Sequence, residues 1–194
     1  MKNHLKFWIK TSFTYGLLAL SFSLIGMFLD NTIEPSNPFN SVSIEHVFGH
    51  IAWGMIAAIP ALSFRYIMAS GLFAILLDSD HLIQFLGFDM ISRMGHSIPF
   101  AVIAAFSMLV IFGRKDYLLA SISFAAILSH ISFDTFINSG KFPLFVPFDT
   151  TLVVFQSNEW ILILSAAIGV VASVKLIIFQ KTRLEKKLSS ENDG

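Results

Sequence analysis

Residues 117–137 read YLLASISFAAILSHISFDTFI. The run contains no lysine or arginine and has the length of a bilayer crossing, which takes roughly 20 mostly apolar residues. It nevertheless carries His130 about two turns inside its end, with Asp134 four residues further on. Four residues is about one helical turn, so both side chains share a face and can chelate. An imidazole and a carboxylate at bilayer depth are costly, and together they read as a functional site by default. An HxxxD pair can also merely cap itself, and a single histidine can bond a neighbouring helix. The rest of the chain has to decide.

Composition sets the solvent. Of 194 residues, 55% are hydrophobic and 13% charged, and the mean hydropathy is +0.71. Those values exclude a water-soluble domain of this length and predict an all-α, polytopic membrane helical bundle with about six transmembrane helices, forming a single domain over 1–194. There is no cysteine. Disulfides, thiolate ligands and a cysteine nucleophile are excluded, so any metal must be held by nitrogen and oxygen. The formal net charge is zero. No nucleic-acid partner is expected, the surrounding partner is membrane lipid, and the oligomeric state is left open.

Working outward, the apolar runs are about Phe7–Leu29, Ile44–Phe64, Tyr66–Leu77, His96–Phe112, Tyr117–Ile137 and Trp160–Phe179. The first is longer than the apolar core of a signal peptide, about 7 to 15 residues, and it ends at Phe28 and Leu29 rather than at small residues, so an uncleaved span is expected. Asp30 to Ser43, with Pro35 and Pro38, reads as a loop, and residues 180–194 as a charged tail. The third run is short: at about 1.5 Å per residue it covers only about 18 Å of a core near 30 Å thick. Asp78 therefore lies below the membrane surface, or else the helix continues through Asp78 and Asp80 into His81, Leu82 and Ile83. Either way these acids need partners.

Six alternating spans put Lys2, Lys6, Lys10, Arg65, Arg114, Lys115, Lys175, Lys181, Arg183, Lys186 and Lys187 on one side. Only Arg93 and Lys141, of thirteen basic residues, fall on the other. By the positive-inside rule the first side, with both termini, is cytoplasmic. The same count places four helix ends on the extracytoplasmic side, carrying His46 and His50, then Asp78, Asp80 and His81, then His96, then His130 and Asp134. Helix ends in a small bundle converge readily around a metal. His46 and His50 repeat the four-residue spacing, although His46 lies nearest the aqueous boundary and is the weakest member. Two carboxylates one residue apart in poorly solvated surroundings repel, and a cation is the simplest remedy. His4 reads as a surface residue.

At this point the residues resemble a known family, the YdjM-like inner-membrane proteins (domain of unknown function 457), described as metal-dependent hydrolases. The matching positions are His50 with Gly54; Asp78, Asp80 and His81; Arg93 with His96 and Ser97; His130 with Asp134; and Gly140 with Pro147 and Phe148. The resemblance runs from about His50 to Phe148, within a core of about 46–150, and leaves the first and last spans outside. Leu77 stands where the pattern has proline, Gly95 where it has threonine, and a His-Arg pair is reduced to Arg93. The resemblance implies a membrane-bound, metal-dependent hydrolase of the inner membrane.

The residues add expectations of their own. Histidine and aspartate donors without thiolate suit zinc first, with manganese or iron as alternatives, in a centre of one or two ions. The expected ligands are His50, Asp80, His81, His96, His130 and Asp134, with His46 as a further candidate. Asp78 or Asp80 would be the general base. Arg93 would clamp an anionic group such as phosphate, or else pair with Asp89. The Phe- and Pro-rich stretch from Asn138 to Phe155 reads either as a flap over the site or as a surface loop with aromatic anchors. The substrate class is a lipid or other membrane-associated ester or phosphoester. A divalent-metal or proton transporter, and a non-catalytic protein with a structural metal, are the competing classes.

Overall fold

The computed structural model of the chain describes residues 2–29, 43–80, 93–137 and 140–192, with the side chains of Lys2, Asp80 and Asn192 outside that description. Among the described residues there are six α-helices: α1 Lys2–Leu24, α2 Ile44–Ala57, α3 Phe64–Leu76, α4 Ile98–Phe112, α5 Tyr117–Ile137 and α6 Trp160–Asn192. Short 3-10 turns at Ile25–Phe28, Ile59–Ala61, Leu77–Asp80 and Met94–His96 lie between or beside them. Three stretches, Asn3–Phe28, Tyr117–Ile137 and Trp160–Glu191, are long and apolar enough to cross a membrane. The other three helices, of 14, 13 and 15 residues, are shorter than a full crossing. The helix of the third span does not run on as an α-helix into the acidic residues; it tightens into the 3-10 turn at Leu77–Asp80.

Local chemistry sets the starts. Ser43 caps α2 by accepting from the His46 backbone N–H, with Glu45 in the first turn favoured by the helix dipole. Ser97 caps α4 by accepting from Phe100 N–H, ahead of Pro99, which has no N–H to lose in the first turn. Asp116 caps α5 by accepting from Leu119 N–H at 3.0 Å.

The polar-bearing apolar helix α5 is the hub, buried along most of its length and packed against α2, α3, α4 and α6. The outer helices show the inverse of a water-soluble pattern. Phe13 and Leu17 on α1, Phe106 on α4 and Leu162 and Ile177 on α6 point outward. An apolar exterior of this kind is costly in water and neutral against lipid tails. At the end of the bundle remote from the clustered His46, His50, His96 and His130, Trp8 Nε1 donates to the Arg65 carbonyl at 2.8 Å, and the Arg65 guanidinium lies 3.5 Å from the Phe7 ring centroid. The Tyr66 hydroxyl donates to the Asp116 carboxylate. These contacts tie α1, α3 and α5 together and fix the depth at which their other ends meet.

Two glycines let α2 and α3 approach closely. A Cβ on Gly54 would lie 2.7 Å from the Ser70 carbonyl oxygen and 2.8 Å from Ala74 Cβ, and one on Gly71 would lie 3.0 Å from the Ile51 carbonyl oxygen. Small residues at a helix crossing are the usual means of close packing where no hydrophobic effect drives helices together. Gly54→Leu is accordingly expected to splay the pair, destabilising the bundle by about 1–3 kcal/mol or more. It should also withdraw His50, one turn away, from the end of α3. Thermal unfolding in detergent and metal content, compared with Gly54→Ala, would check this; a leucine variant with unchanged melting and metal content would refute it.

The stretch after α5 contains a two-stranded antiparallel pairing, with Lys141 opposite Val154 and Phe142 opposite Val153. Phe155 N–H donates to the Gly140 carbonyl and Ile98 N–H to the Leu144 carbonyl, which seats this segment on the start of α4. Phe142 and Val146 are fully buried, while Phe148 is 86% exposed. Among its described residues the segment thus has an inner side, with Phe142 and Val146, and an outer side, with Phe148.

Candidate metal centre

Four elements deliver the polar side chains. The first two turns of α2 supply His46 and His50, the 3-10 turn after α3 supplies Asp78, the 3-10 turn before α4 supplies His96, and α5 supplies His130 and Asp134. His50, His96 and His130 are buried, Asp134 nearly so, and His46 and Asp78 remain 20% and 14% exposed at the mouth.

The Nε2 atoms of all four imidazoles converge. His46 Nε2 lies 2.8 Å from His50 Nε2, and His96 Nε2 lies 2.8 Å from His130 Nε2. The Asp78 carboxylate reaches His50 at 3.7 Å and His130 at 3.3 Å. The Asp134 carboxylate reaches His50 at 3.3 Å and His130 at 3.6 Å. Three overlapping sets, His46–His50–Asp78, His50–His130–Asp134 and Asp78–His96–His130, place one donor atom from each residue within 4.8 Å of one another and could hold a metal ion. The donor set is nitrogen and oxygen only, as the absence of cysteine requires. Imidazole lone pairs gathered on one point alongside two carboxylates have little reason to be buried together except around a cation.

One imidazole is oriented from behind: His130 Nδ1 donates to the Ala74 carbonyl at 2.7 Å, which leaves Nε2 as the ligating nitrogen. The buried Nδ1 atoms of His50 and His96 have no partner among the described residues. The His50 and His130 rings stack with centroids 3.6 Å apart and planes 7° from parallel. Phe133 packs edge-on against His50 in the space left by Gly49, where a Cβ would overlap its ring.

Arg93 holds a left-handed backbone conformation, φ +62°, immediately before the turn that carries His96. Its Nη1 lies 3.7 Å from Asp134 Oδ2, and its guanidinium lies 5.4 Å from the Phe142 ring centroid. Phe142 in turn faces the His96 ring at 6.1 Å. The buried side of the flap thus closes one wall of the centre. One turn deeper in the bundle, Tyr15 stacks on Phe73 at 4.4 Å and meets Phe100 edge-on at 5.9 Å. An open apolar groove of about 310 Å³ runs along α1, lined by Phe13, Gly16, Leu17, Leu20 and Leu76, and reaches Ser79 beside Asp78.

Of the residues singled out from sequence, His50, His96, His130 and Asp134 are brought together. His46, ranked weakest for its nearness to water, is in the cluster as well, because the close α2–α3 crossing draws the first turn of α2 inward. Asp78, expected as a general base standing apart from the ligands, lies between the imidazoles in a ligand's position. Its place in the 3-10 turn turns it toward α5. The Asp80 side chain and all of His81 lie outside the described residues, as does Asp89, the partner considered for Arg93. Sequence reasoning missed the aromatic floor of Tyr15, Phe73 and Phe100, and the contact of Phe142 with His96. For Tyr15, a polar side chain in the middle of an apolar run was the only available signal.

The sequence matches the model of the family described as YdjM inner membrane protein over residues 42–187. That span takes in the final helix as far as Lys187, which the motif positions alone had left outside the resemblance. No curated protein and no solved structure matches the chain.

Proposed function

Because this chain belongs to the YdjM inner membrane protein family, we propose that it is a membrane-embedded, metal-dependent hydrolase of a lipid or other membrane-associated phosphoester, with zinc as the ion and the centre facing the extracytoplasmic side. The observation that carries this reading is the convergence of four imidazole nitrogens and two carboxylates at one end of the bundle. His46, His50, His96, His130, Asp78 and Asp134 are the residues that would hold the metal. When bound, it supplies Lewis acidity and brings the pKa of water toward about 7. Arg93, at the rim beside Asp134, offers its guanidinium to a phosphoryl oxygen. Phe142 and the flap keep bulk water from the His96 side. With Asp78 among the imidazoles, the general-base assignment passes to Asp80, two residues along the chain.

Lipid as substrate is supported by the groove along α1. Its walls are apolar, it lies on the outer surface of the bundle, and it reaches Ser79 next to the centre. An acyl chain lying there would bring its headgroup to the turn that carries Asp78. The packed, fully buried rings of Tyr15, Phe73 and Phe100 support a centre closed on its inner side over a transport path. The distribution of basic residues, with only Arg93 and Lys141 near this end, supports the extracytoplasmic orientation.

The test is phosphate or headgroup release from lipid phosphomonoesters and phosphodiesters in mixed micelles by purified protein. Release should stop on chelation and return with zinc. Arg93→Ala should raise KM by about ten- to a hundredfold, from the 1.5–3 kcal/mol of a hydrogen bond to a charged group, with a smaller change in kcat. Retained metal with no turnover of any ester would overturn the hydrolase reading in favour of a structural centre. Metal-ion flux in proteoliposomes would overturn it in favour of transport.

A further inference from the structure

We propose that the centre is built for two divalent ions bridged by Asp78 and Asp134, a deepening that rests on the metal-site reading above. The two oxygens of each carboxylate are sorted between the two histidine pairs. Asp78 Oδ2 lies 3.9 Å from His46 Nε2 and 3.7 Å from His50 Nε2, whereas Asp78 Oδ1 lies 3.9 Å from His96 Nε2 and 3.3 Å from His130 Nε2. Asp134 repeats the division: Oδ1 lies 3.7 Å from His46 and 3.3 Å from His50, and Oδ2 lies 3.9 Å from His96 and 3.6 Å from His130. The donors fall into two sets of four. One set is His46, His50, Asp78 Oδ2 and Asp134 Oδ1; the other is His96, His130, Asp78 Oδ1 and Asp134 Oδ2.

Each set suits one ion. Ligands about 2.0–2.1 Å from a tetrahedral ion are about 3.4 Å from one another, close to the nitrogen-to-oxygen separations of 3.3 to 3.9 Å within each set, whereas the two imidazole nitrogens of each set, 2.8 Å apart, would have to separate by about 0.6 Å to admit the ion. A single ion would instead draw one oxygen of each aspartate toward all four imidazoles. The parallel rings of His50 and His130, 3.6 Å apart, belong to different sets. That offset matches the roughly 3.5–4 Å separation of ions in two-metal hydrolytic sites. Two carboxylates spanning the same pair of ions would hold that spacing.

The arrangement also narrows the substrate. Four neutral imidazoles and two carboxylates leave two positive charges in excess on a pair of divalent ions, and Arg93 stands at the rim. A phosphoester, with two non-bridging anionic oxygens to set against two cations, fits that field better than a neutral carboxylic ester.

The test is a count and a spectrum. Metal-stripped protein in detergent, loaded with Mn2+ and desalted, should retain two manganese ions per chain by elemental analysis. Its electron paramagnetic resonance spectrum should be that of an exchange-coupled pair. His46→Ala and His96→Ala should each lower the count to one and restore the six-line spectrum of an isolated ion, with helix content by circular dichroism unchanged. One ion per chain with a six-line spectrum in the parent would overturn the two-ion proposal and leave a one-ion hydrolase standing. No retained ion would overturn both. Should either variant fail to fold, the parent's count and spectrum still decide.

Discussion

Asp134→Asn is expected to lose bound metal and all turnover while leaving the fold intact. The substitution is isosteric, so α5 keeps its packing, but it removes a charge on which many contacts converge. All four imidazoles and Arg93 lie within 3.9 Å of the Asp134 carboxylate. An amide offers one weaker acceptor, and its NH2 group cannot ligate. Loss of an outer partner of a metal ligand already costs about 10- to 100-fold in affinity. Loss of the ligand charge itself should exceed about a hundredfold, leaving the protein empty after desalting. Elemental analysis, phosphoester turnover and size-exclusion behaviour in the same detergent check this. An asparagine variant that keeps its metal would remove Asp134 from the ligand set.

The second large effect is expected at His130, and it falls on stability as well as on metal. His130→Ala removes the ring between Asp78 Oδ1, 3.3 Å away, and Asp134 Oδ2, 3.6 Å away. It also removes the donor to the Ala74 carbonyl on α3. Two carboxylates are then left facing a void in the centre of the bundle. Leaving a buried acceptor without its hydrogen-bond partner destabilises by about 1–3 kcal/mol, more where the acceptor is charged. His130→Gln fills most of the space without restoring ligation. It should recover much of the thermal stability and none of the metal. Melting in detergent read alongside metal content separates the two effects; equal metal retention in parent and glutamine variant would show that His130 is a packing residue.

Much of this molecule was legible before any coordinates. Each apolar run reappears as a helix, because hydropathy and helical period are properties of neighbouring residues, but the second breaks at Ala57 into the turn that holds Pro60 and the last runs on through the charged tail to Asn192. The four-residue spacings of His46 with His50 and of His130 with Asp134 already put each pair on one helical face. Other readings needed revision. His46 was weighed by its distance from the boundary, yet the depth of α2 is governed by Gly54 against Ser70 and Ala74 on another helix. The roles of Asp78 and Asp80 could not be told apart by spacing. A 3-10 turn, unlike the continued α-helix also considered, determines where the Asp78 side chain points. Phe142 stood out from sequence as one of several phenylalanines, and only the strand pairing at Lys141 and Phe142 turns it toward His96.

By itself, then, the sequence determined the solvent, the helices and, among the described residues, the side chains of His46, His50, Asp78, His96, His130 and Asp134 as candidates for one end of them, since each follows from hydrophobic content, local periodicity and the cost of placing imidazole and carboxylate in an apolar medium. Only the tertiary structure decided which carboxylate oxygen faces which imidazole pair, and so whether the donors form one group or two. Such sorting depends on separations of a few tenths of an ångström between elements up to about ninety residues apart in the chain, and no pattern of neighbouring residues encodes it.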